Sequence, residues 1–117
     1  MLNKKYRLCK RKQFNYIYKK GRHAGCDILS LVYIFAKMPY NSPSHLKIGF
    51  SANKKVGGSV QRHRALRKMR EAVRPLIPNM AANHNYIFVA KETILDKSVA
   101  EIHAAVASVL KKAGLLK

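Results

Sequence analysis

Acid–base chemistry would have to come from five carboxylates, Asp27, Glu71, Glu92, Asp96 and Glu101. Hydrolysis by paired acids needs two of them held close across a bond, and no two here stand in a recognisable pairing. Glu71 follows Arg67 by four residues within a run of arginines, which predicts a helix-stabilising ion pair worth about 0.2–0.5 kcal/mol. Asp96 and Glu101 flank a helix start. The histidines are scattered, and His23 with Cys26 makes one i,i+3 pair without the further ligands that a zinc site requires. Gly57 and Gly58 follow Lys54-Lys55-Val56 but lack the lysine and spacing of a P-loop. These residues predict no active site and no metal site on the protein itself.

What the sequence concentrates is positive charge. Residues 60–73 repeat with helical period: Ala65, Leu66, Met69, Ala72 and Val73 share an arc of about 120°, while Arg64, Arg67, Lys68, Arg70 and Arg74 fill the opposite one. The plain reading of such a row is a solvated helix face. Three details argue for a ligand. Solvated faces interleave Glu with Lys, whereas Glu71 stands here alone among the cations. Arginine predominates, and its planar fork suits bidentate phosphate contact. The approach Lys54-Lys55-Val56-Gly57-Gly58 adds two cations and two glycines that let backbone come close to a ligand.

The remaining segments must hold this row in place. Residues 10–20 predict a short helix with Phe14, Ile17 and Tyr18 on one face and Gly21 as its stop. Residues 28–38 are apolar on both alternating sets, so both faces of that strand should be covered. Pro39 to Pro43 marks a turn. Residues 45–52 predict a strand with Leu46, Ile48 and Phe50 opposite His45, Lys47 and Gly49. Pro75 and Pro78 should end the basic helix, and residues 86–91 predict another strand. Ser98-Val99-Ala100-Glu101 is a capping box that opens a helix with Val99, Ile102, Val106, Val109 and Leu110 inward, ended by Gly114. The expected architecture is α+β, a two-layer α/β sandwich in the order α-β-β-(β)-α-β-α, over residues 1–117 as one domain.

Composition bounds the partner. The chain has 117 residues, 24 Lys+Arg against 5 Asp+Glu, and a formal charge of +19. Residues 1–70 hold 18 of those cations and the single acid Asp27. Such a surface repels itself until a polyanion neutralises it. A hydrophobic fraction of 48% is that of a folded domain rather than a disordered basic tail. The apolar run 28–36 is far short of the roughly 20 residues of a membrane span. The basic N-terminus lacks the apolar core of a secretory signal. Cys9 and Cys26 are expected to be free thiols in a reducing, cytoplasmic setting.

Residues 51–71, Ser-Ala-Asn-Lys-Lys-Val-Gly-Gly-Ser-Val-Gln-Arg-His-Arg-Ala-Leu-Arg-Lys-Met-Arg-Glu, resemble the signature of the bacterial ribonuclease P protein subunit. That signature has a Lys-Lys-hydrophobic-Gly lead, an Arg-Asn-Arg triplet, and arginines three and six residues beyond it. Here they are Lys54, Lys55, Val56 and Gly57, then Arg62-His63-Arg64, then Arg67 and Arg70. Phe14 and Tyr18 match two aromatics on the family's first helix, followed by Lys19-Lys20-Gly21. The likeness spans nearly the whole chain. It departs at His63, where the family has Asn, and at apolar Leu66, where a lysine is common.

The resemblance implies the protein subunit of an endoribonuclease that removes the 5′ leader from precursor tRNA, with the catalytic centre mainly in a partner RNA. Magnesium would be held mainly by that RNA. Arg62, His63, Arg64, Arg67 and Arg70 would contact the catalytic RNA, with Lys54 and Lys55 extending the patch. Lys68 is added from helical geometry alone. A cleft between the first helix and the sheet would take the single-stranded leader, lined by Phe14 and Tyr18 with Lys10 in the basic lead. Tyr33 is added to that lining, although an ungapped alignment sets Val32 at the family's strand aromatic. The likeness also implies a left-handed crossover around the basic helix, against the usual rule. Ribonuclease P RNA and precursor tRNA are the implied partners, without a membrane or an obligate protein partner. The competing class is a non-enzymatic basic RNA-binding protein of ribosomal type.

Overall fold

The computed structural model describes Leu8 and residues 11–35 and 46–116. The elements run α1 (Arg11–Lys20), β1 (Arg22–Gly25), β2 (Leu29–Phe35), β3 (Leu46–Ala52), α2 (Ser59–Val73), β4 (His84–Ala90) and α3 (Val99–Lys112), with 3-10 turns at Lys54–Val56, Arg74–Asn79 and Glu92–Asp96. The strands form one sheet in the order β1-β2-β4-β3. β2 is antiparallel to β1 and β4, from Leu29 opposite Ala90 to Phe35 opposite His84. β3 runs parallel to β4, so the chain between them must cross over, and α2 forms part of that connection.

Alternation divides the sheet's two faces. Leu29 and Leu31 of β2, Ile48 of β3 and Tyr86 and Phe88 of β4 enter the major core, closed by Ala65, Met69 and Val73 of α2 and Ile102, Val106 and Val109 of α3. This is the two-layer frame that the helical stripes predict. The other face carries a smaller core of Leu8, Ile17, Val32 and Ile87, with Phe14, Ile34 and Val89 packed against it. α1 covers this side. Both faces of β2 are thus used, as its doubly apolar pattern requires, apart from Phe35, which is 67% exposed.

Local chemistry sets the ends of the helices. At α3 the Ser98 hydroxyl accepts from the Glu101 amide at 3.1 Å and the Glu101 carboxylate accepts from the Ser98 amide at 2.9 Å. Its other end closes at Gly114, whose φ of 74° is strained for other residues. From there Leu115 N–H reaches the Leu110 carbonyl at 2.8 Å, the Schellman pattern.

Pro75 and Pro78 mark the end of the basic helix as expected: α2 stops at Val73, and the chain tightens into the 3-10 segment Arg74–Asn79, where proline near the start fits the helical φ and needs no N–H bond. Where the sequence predicts an ion pair of Glu71 with Arg67, the structure shows another partner. Glu71 bonds forward to Arg74 at 2.9 Å, one turn on, in a pair half exposed at both ends. The strand after residue 27 is described to Phe35, and the turn at residues 39–43 lies outside the described residues.

Candidate nucleic-acid interface

The approach to α2 is built from short-range bonds. Asn53 Oδ1 accepts from the Lys55 amide at 3.0 Å, which closes the 3-10 turn Lys54–Val56. Val56 is buried and anchors that turn, so Lys54 and Lys55 stand exposed. Gly57 then takes a φ of 142°, a backbone state that side chains disfavour. The Gly58 carbonyl receives the Arg62 amide at 2.9 Å, and the helix begins.

Burial of Ala65, Met69, Ala72 and Val73 fixes how α2 is rotated. His63, Arg64 and Arg67 consequently face solvent, while Arg62 and Arg70 are half-buried. Two hollows meet at His63. One of about 250 Å³ is lined by Ala52, Ser59, Arg62, His63 and Leu66. The other, about 300 Å³, lies between Val60, His63, Arg64 and Arg67. Arg62 Nε is buried beneath the first without a hydrogen-bond partner, which is costly for a charged donor unless something accepts from it. Arg70 lies with its guanidinium carbon 5.8 Å from the centre of the Phe50 ring, a cation–π contact that aims it.

Lys68 departs from the row. Its ammonium donates to the carbonyls of Lys97 at 2.8 Å and Leu95 at 3.2 Å. The carbonyl end of the Glu92–Asp96 turn attracts a cation, so Lys68 ties α2 to that turn instead of extending the free patch. Nothing on a helical wheel could reveal this, because the carbonyls come from a segment 27 residues away.

On the reverse face, Ile17 is 1% exposed and anchors α1, Phe14 is half-buried, and Tyr18 is 38% exposed. The two rings lie 6.4 Å apart, tilted by 44°. Phe14 rests on Gly49 so closely that a Cβ there would overlap its ring. The sequence does not single out Gly49 as the seat of the Phe14 ring, although its position on the outward side of β3 is readable there. The sequence places Phe50, the seat of Arg70, only on the strand side that it shares with Leu46 and Ile48. Lys10 lies outside the described residues.

Tyr33 does not join Phe14 and Tyr18. It packs with the major core, on the α2–α3 side of the sheet, whereas Phe14 packs on the other. A strand alternates its side chains, so Tyr33 shares a face with Leu29 and Leu31, and its neighbour Val32 is the one beneath α1. Among the described residues no three His, Cys, Asp or Glu side chains gather as a metal site would require, and no helix is long and apolar enough to cross a membrane.

Fold and surface together define a class: a basic α+β protein that presents a row of guanidinium groups along α2. The ribonuclease P family model matches residues 2–114. The chain belongs to that family, the protein component of a tRNA-processing endoribonuclease. It is 33% identical over 116 residues to the ribonuclease P protein component of Symbiobacterium thermophilum, covering 99% of this chain and 97% of that one. The Clostridium beijerinckii protein component is 34% identical over 113 residues, covering 94% and 90%. The solved Staphylococcus aureus RNase P protein superposes with a TM-score of 0.80 at 26% identity, over 96% of this chain and 98% of that one. The Thermotoga maritima RNase P protein shares the fold, with a TM-score of 0.76 at 17% identity over 91% and 96%.

Proposed function

We propose that this chain binds the catalytic RNA of ribonuclease P through α2 and the single-stranded 5′ leader of precursor tRNA along α1, and so promotes removal of the leader. The observation that carries this reading is the exposed pair Arg64 and Arg67 beside the buried, unpartnered Nε of Arg62. Phosphate oxygens are acceptors of the right charge and geometry for all three. Lys54, Lys55, His63 and Arg70 extend the contact. His63 can donate or accept one hydrogen bond where relatives of the resembled pattern have Asn.

Phe14 and Tyr18 supply the second contact. An i,i+4 pair of rings, one half-buried and one exposed, is a platform on which unpaired bases stack. The protein's described carboxylates do not form a metal site, and no step of the cleavage is assigned to them. Magnesium belongs to the partner RNA in this reading, and the complex acts in the cytoplasm.

Reconstitution with the ribonuclease P RNA of the same organism at low magnesium tests the reading. Added protein should promote 5′ cleavage of precursor tRNA. Binding without any gain in cleavage would instead favour an RNA-binding structural protein of ribosomal type.

A further inference from the structure

A hollow of about 560 Å³ opens at the end of the strands opposite to Lys54. It takes Tyr33, Phe35 and His84 from the sheet, Gly114 from the close of α3, and Lys20 and Arg22 from the α1–β1 corner. Among the described residues no carboxylate lines it. Arg22 pairs with Tyr33 and Phe35 with His84 in the ladder, so alternation sets all four on the α2–α3 side, away from Phe14 and Tyr18.

Three features make this more than a dent. Phe35 is 67% exposed, yet its ring is held edge-on by His84 at 5.6 Å and 85°. One exposed aromatic is ordinary by itself; one oriented beside two cations is a stacking surface. His84 Nδ1 lies 2.8 Å from the Ala82 carbonyl. A carbonyl only accepts, so Nδ1 donates to it, and in that tautomer of the neutral ring Nε2 is an acceptor. Lys20 and Arg22 are exposed at the corner of the hollow. An aromatic face, an acceptor and two cations are the set that recognises one unstacked nucleotide and its neighbouring phosphates.

We infer that this hollow is a further site for single-stranded nucleic acid, with a base on Phe35 and phosphates on Lys20 and Arg22. It is separate from both contacts proposed above and does not depend on them. A protein partner fits less well, because the described lining is cationic at its corner and offers no acid.

Titration of the isotopically labelled full-length protein with an adenylate hexamer, followed amide by amide, tests the site. The amides of Ala113 and Gly114 should shift with saturation, separately from those of Gly49 and Ser51 on the α1 side. Phe35→Ala should weaken the first response about fivefold or more and leave the second unchanged; Arg22→Ala should act likewise, and Phe14→Ala should do the reverse. Silent amides at Ala113 and Gly114, or an unchanged affinity in Phe35→Ala, would overturn the inference. So would inorganic phosphate binding there as tightly as the hexamer, or shifts produced by protein concentration alone. Failure of tRNA cleavage in reconstitution leaves this measurement standing.

Discussion

Arg70 sits over Phe50 at 5.8 Å, and Phe50 in turn stacks on Phe88 with centroids 5.8 Å apart and planes inclined by 23°. The guanidinium at the end of the basic row is thus seated on a column of rings that reaches into the major core. Phe50→Leu removes the ring while preserving every charge. RNA affinity should fall by a factor of about 2–5, the worth of an exposed cation–π contact, while the salt slope of binding stays the same. Filter binding at several salt concentrations reads both quantities; a changed slope would mean that Phe50 does more than aim Arg70.

Gly49 and Phe14 are coupled by contact. Gly49→Ala should destabilise the fold by about 1–3 kcal/mol, as overpacking does, since the new methyl overlaps the Phe14 ring. Phe14→Ala vacates that space, so the double variant should be less destabilised than the two single losses combined. Urea unfolding of the three variants measures the coupling. Simple additivity would mean that the ring and the glycine do not press on each other.

Lys68 separates a structural cation from the binding ones. Lys68→Met breaks its bonds to the Lys97 and Leu95 carbonyls and should lower stability by about 1 kcal/mol. RNA affinity and its salt slope should change little. Arg67→Ala should do the opposite, leaving stability nearly unchanged while reducing the slope by about 1.

Burial holds the Tyr86 hydroxyl in its protonated form, pushing its pKa well up, and the hydroxyl donates to the Ala81 carbonyl at 2.6 Å. Because the folded pKa exceeds the unfolded one, this contribution is complete below pH 10 and is lost as the unfolded chain ionises above it. Tyr86→Phe lacks that ionisation. The stability advantage of the parent over Tyr86→Phe should therefore narrow above pH 10, as denaturation midpoints of the two proteins would register.

How much of this was legible in the sequence depends on whether the deciding contact is local. The rotation of α2 followed from the spacing of Ala65, Met69, Ala72 and Val73, and the start of α3 from Ser98 and Glu101, because period and capping act within one or two turns. Tyr33 was misassigned because β2 is apolar on both sides, and pattern alone cannot say which side α1 covers. The alternation with Leu29 and Leu31 still constrained it. Lys68 lies on the cationic arc of the wheel, and only the fold brings the Lys97 carbonyl to its ammonium. Strand β1 carries Arg22 and His23 outward with few apolar residues, so its existence rests on pairing with β2 rather than on its own pattern.

The central claim is that the guanidinium row of α2 grips RNA phosphates, and the affinity of the parent and of the Arg64→Ala/Arg67→Ala variant for ribonuclease P RNA, measured across a range of salt concentrations, tests it most directly. Each lost phosphate contact should flatten the dependence of log affinity on log salt by somewhat less than 1. The account predicts weaker binding with a slope shallower by about 2 for the double variant, with its fold intact. Parent-like affinity and an unchanged slope would remove α2 from the interface and contradict the account.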